Sequence, residues 1–499
     1  MNIAELFISQ VKNTPKKLAL VENSKSITYV ALFKSVKKTA SYFKVKGITQ
    51  GDKVLIAIPI SIETYRVVLA LFYIGAIPVF MEEWAFKNNF YNNTKSLNCK
   101  AVIVAKKFRL IAFFSKAIRS IPIKLSITKL GSETIKISDF EPNHPALFSF
   151  TSGSSGEPKI AIRSHEFLKE QFRVLSTVTN ATGDENVCCG LAIVVLFYLG
   201  QGNTIVLRNN KMLTNVHLLN SCFEEFKVNQ IVDSPAKLLS YSEGVNKKNA
   251  NQITHIFTGG GPVFPNDAEK LNLKFSNSVN SIIYGSTEVE PISVVDSKLI
   301  IEANSKNEKG LCVGSVNSDL DLKIIKTDNT ERIFSSLPEF ENICLRDGVV
   351  GEVVVKGKHV LETYYNSEVI FKKQKIEVGT ELWHKTGDSG YVKKGILYLT
   401  GPCNSLIDTG GKLLSPFIIE NKLRAIDGVE KGTVIEVDKK IIVVVEGVLS
   451  VDKLDVVVSE FLKFDQIIKI NNITMDVRHQ TKINYIELKN IIITKKLLH

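Results

Sequence analysis

The stretch Phe150-Thr151-Ser152-Gly153-Ser154-Ser155-Gly156-Glu157-Pro158-Lys159 follows the short apolar run Ala146-Leu147-Phe148-Ser149, so a strand-like segment gives way to a small-residue loop. Four hydroxyl residues and two glycines precede a single lysine. Such a loop bares backbone N–H groups, adds hydroxyl donors and ends in a fixed positive charge, which suits a polyphosphate such as ATP. It is not a Walker A sequence, because Ile160 follows the lysine where a magnesium-binding hydroxyl is required. Taken alone, a Gly/Ser loop reads with equal ease as a flexible linker.

On either side of the loop, strand-like and helix-like segments alternate. Val54-Leu55-Ile56-Ala57-Ile58 reads as a buried strand, Ile62 to Tyr73 as a helix ended by Gly75, and Ile77-Pro78-Val79-Phe80 and Ala101-Val102-Ile103-Val104 as further strands. This rhythm implies βαβ units and a largely parallel sheet covered by helices, with ligands at the carboxyl ends of strands. Two later strands run into small residues: Ile253-Thr254-His255-Ile256-Phe257 into Thr258-Gly259-Gly260-Gly261-Pro262, and Ser281-Ile282-Ile283-Tyr284 into Gly285-Ser286-Thr287-Glu288. From about Gly310, short strands such as Val353-Val354-Val355 suggest a β-rich subdomain. The apolar run Leu191 to Leu199 reads as a buried core strand, with lining an acyl pocket as its other use. A boundary near Gly401-Pro402-Cys403-Asn404 divides an expected large domain, 1–400, from a small α+β domain, 401–499.

The chain has 499 residues, 44% of them apolar and 23% charged, which describes a globular protein of two or more domains. Its net charge of +12 favours anionic substrates, but the lysines are scattered. No short segment concentrates them among aromatics, so nucleic-acid binding is not expected. The seven cysteines, at 99, 188, 189, 222, 312, 344 and 403, are odd in number and form no C-x-x-C pair. That pattern predicts reduced cytosolic thiols, without a zinc site or disulfide framework. Met1 to Lys17 has Ile3, Leu6, Phe7 and Val11 at helical spacing, unlike a signal peptide. Leu191 to Gly200, the longest apolar run, is too short for a bilayer, so no integral membrane association is expected.

The loop at Thr151 to Lys159 resembles the signature loop of the adenylate-forming superfamily, the AMP-dependent synthetases and ligases that include acyl-CoA synthetases, peptide-synthetase adenylation domains and luciferases. Companion motifs stand in the order that family has them. Tyr284-Gly285-Ser286-Thr287-Glu288 resembles its aromatic-Gly-x-Thr-Glu motif, and Gly351-Glu352-Val353 with Gly357 and Tyr364 its Gly-Glu strand. Trp383-His384-Lys385-Thr386-Gly387-Asp388 resembles its Thr-Gly-Asp motif, and Gly410-Gly411-Lys412 with Pro416 and Glu420 the glycine turn of its C-terminal domain. Arg478-His479-Gln480-Thr481-Lys482-Ile483 resembles its terminal lysine segment.

The resemblance implies an α/β fold with a mobile C-terminal domain, and an enzyme that uses ATP and Mg2+ to turn a carboxylic acid into acyl-AMP and pyrophosphate. It implies ATP-binding roles for Thr151, Ser152, Gly153, Ser154, Ser155, Gly156, Lys159, Gly260, Gly261, Tyr284, Gly285, Ser286 and Asp388. Glu288 would ligate magnesium beside Thr287, Tyr284 would stack on adenine, and Asp388 would take the ribose hydroxyls. Lys482 would bridge carboxylate and α-phosphate, where positioning and charge compensation act together.

Some positions depart from the family pattern. Pro402 replaces the hinge arginine, Asn404 stands for the hinge acid, and Ile160 and Thr481 replace glycines. Leu199-Gly200-Gln201-Gly202-Asn203-Thr204, Ser234-Pro235-Ala236, Glu288-x-Glu290-Pro291 and Trp383-His384 are most similar to the branch of the olefin-pathway β-lactone synthetase and fatty acyl-AMP ligases. The resemblance therefore implies a fatty or 3-hydroxy fatty acid, with the acyl group passing to CoA or to the phosphopantetheine of an acyl carrier protein. Closure to a β-lactone and a non-catalytic nucleotide- or acyl-binding protein are the alternatives.

Overall fold

The computed structural model describes the chain apart from residues 81–94, 106–114, 128, 132–134, 153–157, 328–332, 411–412, 477–479, 496 and 498–499, and apart from the side chains of Thr151, Ser152 and Pro158. Lys53–Ala57, Ile77–Phe80 and Ala101–Val104 are parallel neighbours in a six-stranded sheet that ends on the antiparallel hairpin Pro145–Ser152 and Pro158–Ser164. All four residues of Ala101–Val104 are buried, as expected of a parallel strand covered on both faces. The helix Ile62–Tyr73 starts where the Ser61 hydroxyl accepts from the Thr64 N–H and stops before Gly75, whose φ of 70° turns the chain back.

Among the described residues the largest sheet has 15 strands. Its first half is parallel, in the spatial order Leu18–Glu22, Thr204–Leu207, Asn186–Cys189, Gln230–Asp233, His255–Gly259 and Val279–Ser286. From Val279–Ser286 outward it is antiparallel through Val289–Asp296, Leu311–Val316, Ile396–Pro402, Glu381–Lys393, Gly351–Lys356 and Asp321–Ile325. The change of texture near Gly310 falls within this antiparallel half.

The run from Leu191 to Leu199 is not the strand expected from its composition but part of a helix, Ala192–Gln201. A continuous apolar run has no period to choose between the two structures, so tertiary packing decides. Val194 to Gly200 are all buried, and Gly200 lies against Leu6 of the helix Ala4–Asn13. Gly202, at φ 90°, ends the helix.

Toward the C-terminus, Val429–Val437, Lys440–Gly447 and Gln466–Lys469 form a separate three-stranded sheet. Alternate side chains give it two apolar faces. Val434, Val443 and Val445 meet Leu423 and Leu454, while Ile435, Ile442 and Val444 meet Leu488 and Ile492. Glu420 of the helix Pro416–Arg424 is buried and accepts hydrogen bonds from Thr433 Oγ1 at 2.8 Å and from the Tyr485 hydroxyl. Burial raises its carboxyl to about 7 against the opposing effect of those two hydroxyls.

Candidate active site

The seam between the two halves of the large sheet carries Gly260, Gly261 and the five residues from Tyr284 to Glu288. Tyr284, Gly285 and Ser286 close the strand Val279–Ser286, and Thr287 and Glu288 turn the chain into Val289–Asp296. Gly259 ends the neighbouring strand, followed by Gly260 at φ 85° and then Gly261. Asp388 belongs to Glu381–Lys393, with three strands between it and Tyr284 in the sheet order. A flat sheet would separate the two by about 19 Å at the usual strand spacing. Instead the Tyr284 hydroxyl donates to Asp388 Oδ2 at 2.9 Å, so the antiparallel half is rolled toward the seam. Burial holds that hydroxyl well above the ordinary tyrosine range, as does the Asp388 charge, and keeps it a neutral donor. The Asp388 N–H is bonded to Thr386 Oγ1 at 3.1 Å, across Gly387, whose missing side chain leaves open space.

Glu288 and Lys159 are both buried, at 7% and 6% exposure. Tyr364 OH donates to Glu288 Oε1 at 3.1 Å, and the Leu361 N–H donates to the Glu288 carbonyl at 2.7 Å. The backbone of Tyr364 bridges to Ala161, two residues from Lys159, so one segment ties the carboxylate to the lysine strand. Arg163, on that same strand, donates to the Thr287 carbonyl at 3.1 Å. Burial lowers the Lys159 ammonium, while the Glu288 carboxylate acts to hold it up and Lys373 adds to the lowering. Lys375 donates to the Leu361 carbonyl from a fully enclosed position; burial lowers it to about 7, opposed by Glu288 and Glu362. Sequence reasoning gave no part to Lys375 or Arg163. Lys375 ends a Lys-Lys-Gln-Lys string that reads as solvated surface, and only packing reveals it as interior.

No cluster of three or more metal-ligating side chains exists among the described residues. Glu288 nevertheless fits magnesium, which is commonly held by one or two carboxylates, with substrate phosphates and water completing its shell.

Gly153, Ser154, Ser155, Gly156, Gly411, Lys412, Arg478 and His479 lie outside the described residues, as do the side chains of Thr151 and Ser152. The Lys482 turn is described from residue 480 onward. Asp476 Oδ1 accepts the N–H groups of Thr481 and Lys482 at 2.9 and 2.8 Å, and the Asp476 N–H donates to the Lys482 carbonyl at 2.7 Å. Thr481 is buried against Gly261, and the Lys482 side chain is exposed. Cys403–Ser405 form one 3-10 turn in which Ser405 Oγ donates to the Pro402 carbonyl at 2.7 Å, with Asn404 exposed. All seven cysteines are free.

Beneath Gly259, a cavity of about 20 Å³ is lined by Leu191, Val194, Phe197, Phe257, Ile283 and Glu290, among others. Among the described residues, no helix is long and apolar enough to cross a membrane.

The family described as AMP-binding enzyme matches residues 7–365. This chain belongs to that family. The AMP-binding chain is 26% identical to 2-succinylbenzoate–CoA ligase of Oceanobacillus iheyensis over 438 residues, covering 84% of this chain and 83% of that protein. It is 23% identical to the olefin β-lactone synthetase of Xanthomonas campestris over 417 residues, covering 77% and 73%. O-succinylbenzoate coenzyme A synthetase of Bacillus subtilis, solved in complex with ATP and magnesium ion, has the same fold: TM-score 0.80, 20% identity, 97% of this chain and 99% of that one. The AMP-binding chain is thus an enzyme of the adenylate-forming superfamily.

Proposed function

We propose that this enzyme adenylates a carboxylic acid with ATP, releasing pyrophosphate, and then passes the acyl group to the thiol of CoA or of carrier-protein phosphopantetheine. The observation that carries this reading is the joining of two functional ends on one seam. The Tyr284–Asp388 hydrogen bond makes one end, and Glu288, clamped by Tyr364 beside buried Lys159, makes the other. Asp388 would take the ribose, and Tyr284 would flank the base. Lys159 would face the β- and γ-phosphates that leave as pyrophosphate.

Magnesium bound at Glu288 would neutralise phosphate charge there. The buried Lys159 and the neutral Tyr284 donor supply preorganised polarity with little water present. Lys482 would reach the α-phosphorus and the attacking carboxylate once its turn is docked, and 401–499 would then rotate as a unit at Pro402 and Asn404 for the thiol step. We place the start of the acyl path at the cavity under Gly259, which at about 20 Å³ holds little more than one water and must widen as an acyl chain enters; its walls are apolar apart from Glu290 and a few hydroxyls.

The acid is read as fatty or 3-hydroxy fatty, on the motif set shared with the olefin-pathway branch. The β-lactone synthetase among its relatives supports a second outcome, in which a 3-hydroxyl closes on its own acyl carbonyl and expels AMP. A succinylbenzoate-type aryl acid is the competing substrate, since relatives with that name align over more of the chain. Acid-dependent pyrophosphate exchange across straight-chain, 3-hydroxy and aryl acids decides between them, with product masses recorded with and without CoA. Absence of exchange with every acid sinks the enzymatic reading. Exchange confined to aryl acids sinks the fatty one.

A further inference from the structure

The Lys482 turn meets Gly261, just beyond the strand His255–Gly259, through the Thr481 side chain. Thr481 is only 8% exposed, and its hydroxyl has no hydrogen-bond partner among the described residues. Its contact with Gly261 is therefore one of shape. A methyl group added to Gly261 would fall 2.0 Å from Thr481 Oγ1, 2.4 Å from its Cβ and 3.1 Å from its Cγ2. Non-bonded carbons prefer about 3.5–4.0 Å, so Thr481 occupies the notch that a glycine alone leaves open. Behind it the described residues of the turn are cross-bonded. Asp476 Oδ1 accepts the N–H groups of both Thr481 and Lys482, the Asp476 N–H closes back on the Lys482 carbonyl, and Met475 bridges to Ile483. The bonds to Asp476 and the contact at Gly261 together fix where the Lys482 side chain begins.

We propose that Thr481 is a positioning residue, lodged in the Gly261 notch to dock the segment 480–483 for acyl-AMP formation. The proposal rests on the role given above to Lys482. Gly261→Ala should push the turn off the strand and slow acid-dependent pyrophosphate exchange about 100-fold, the scale of a misplacement near 1 Å. Thr481→Gly on that background should restore exchange about 10-fold or more, because the two residues are in direct contact and their effects couple. Thr481→Ala on the same background should restore nothing, since its Cβ would remain 2.4 Å from the added methyl.

Tryptic cleavage after Lys482, followed by mass spectrometry, reads the docking without activity. It should quicken in Gly261→Ala and slow again only with Thr481→Gly, while circular dichroism confirms that each variant is folded. Undiminished exchange in Gly261→Ala, or rescue by Thr481→Ala equal to that by Thr481→Gly, overturns the proposal. So do cleavage rates equal in all variants. If the unaltered enzyme exchanges pyrophosphate with no acid, the functional reading fails, and the cleavage arm still decides whether the notch holds the turn.

Discussion

At the scale of single residues, the candidate site separates exposed from enclosed charged groups. Lys482 is exposed; Glu288 and Lys159 are enclosed. Lys482→Ala should lower the rate of acyl-AMP formation at least about 100-fold, the usual scale for one lost electrostatic stabiliser. ATP affinity by calorimetry should persist, and unchanged adenylation in that variant would refute the assigned role. Tyr364 acts through Glu288. Tyr364→Phe keeps the packing and deletes the 3.1 Å hydrogen bond. We expect the magnesium concentration for half-maximal exchange to rise about 10-fold, as for other residues that orient a metal ligand.

Glu420 gives a pH signature unrelated to catalysis. Its folded pKa of about 7 exceeds the value near 4.3 expected of an unfolded glutamate. Its stabilising contribution is therefore complete below about pH 4.3 and is lost as pH rises through 7. Glu420→Gln, which mimics the protonated form, should remove that slope in urea unfolding and be the more stable protein at pH 8. An identical slope in both proteins would rule out Glu420 as its source.

The strings that hold Tyr284, Glu288, Asp388 and Lys482 were legible in the sequence, and the structure pairs Tyr284 with Asp388 and buries Glu288; the roles given to them are those proposed above. What was not legible needed neighbours. Lys375 looked like surface charge. Tyr364 was visible as a motif residue but not as the partner of Glu288, because a hydrogen bond over 76 positions leaves no mark in either local pattern.

At the scale of elements, the strands at 77–80 and 101–104 and the helix at 62–73 fall where apolar pattern and punctuation put them. The helix Ala192–Gln201 does not, and its departure matters for chemistry. As a helix, the segment presents Leu191, Val194, Phe197 and Tyr198 to the cavity at spacings of three and four, whereas a strand would have presented every second residue. Val194→Ala should enlarge the cavity by two carbons. The ratio of kcat/KM for an acid one or two carbons longer over the preferred acid should rise about 10-fold, the typical worth of a methylene or two in an apolar pocket. An unchanged chain-length profile would place the acyl group elsewhere.

At the scale of the whole molecule, the connection between the large sheet and the three-stranded one runs through Pro402, with φ −61°, and the turn at Cys403–Ser405. Proline fixes that torsion and resists the rotation proposed for the thiol step. Pro402→Ala should speed CoA-dependent product formation several-fold in single-turnover assays, with the acid-dependent exchange rate kept. Equal rates for the thiol step would show that the resistance lies elsewhere. The boundary near residue 401 was suggested by composition, whereas the rolling of the antiparallel half, which brings Asp388 to Tyr284, had no sequence signal. Curvature of a sheet is set by the sum of many small twists rather than by any one residue.

That rolled sheet divides labour in a way with a historical consequence. The cavity draws mainly on the parallel half and the helices over it, and among the described residues takes only Glu290 of Val289–Asp296 from the antiparallel half, to which Asp388 also belongs. On the placement proposed above, mutations in the helices and parallel strands that line the acyl side would accumulate under drift without disturbing the nucleotide side. A lineage built on this scaffold is free to change its acid many times over while inheriting the same first chemical step.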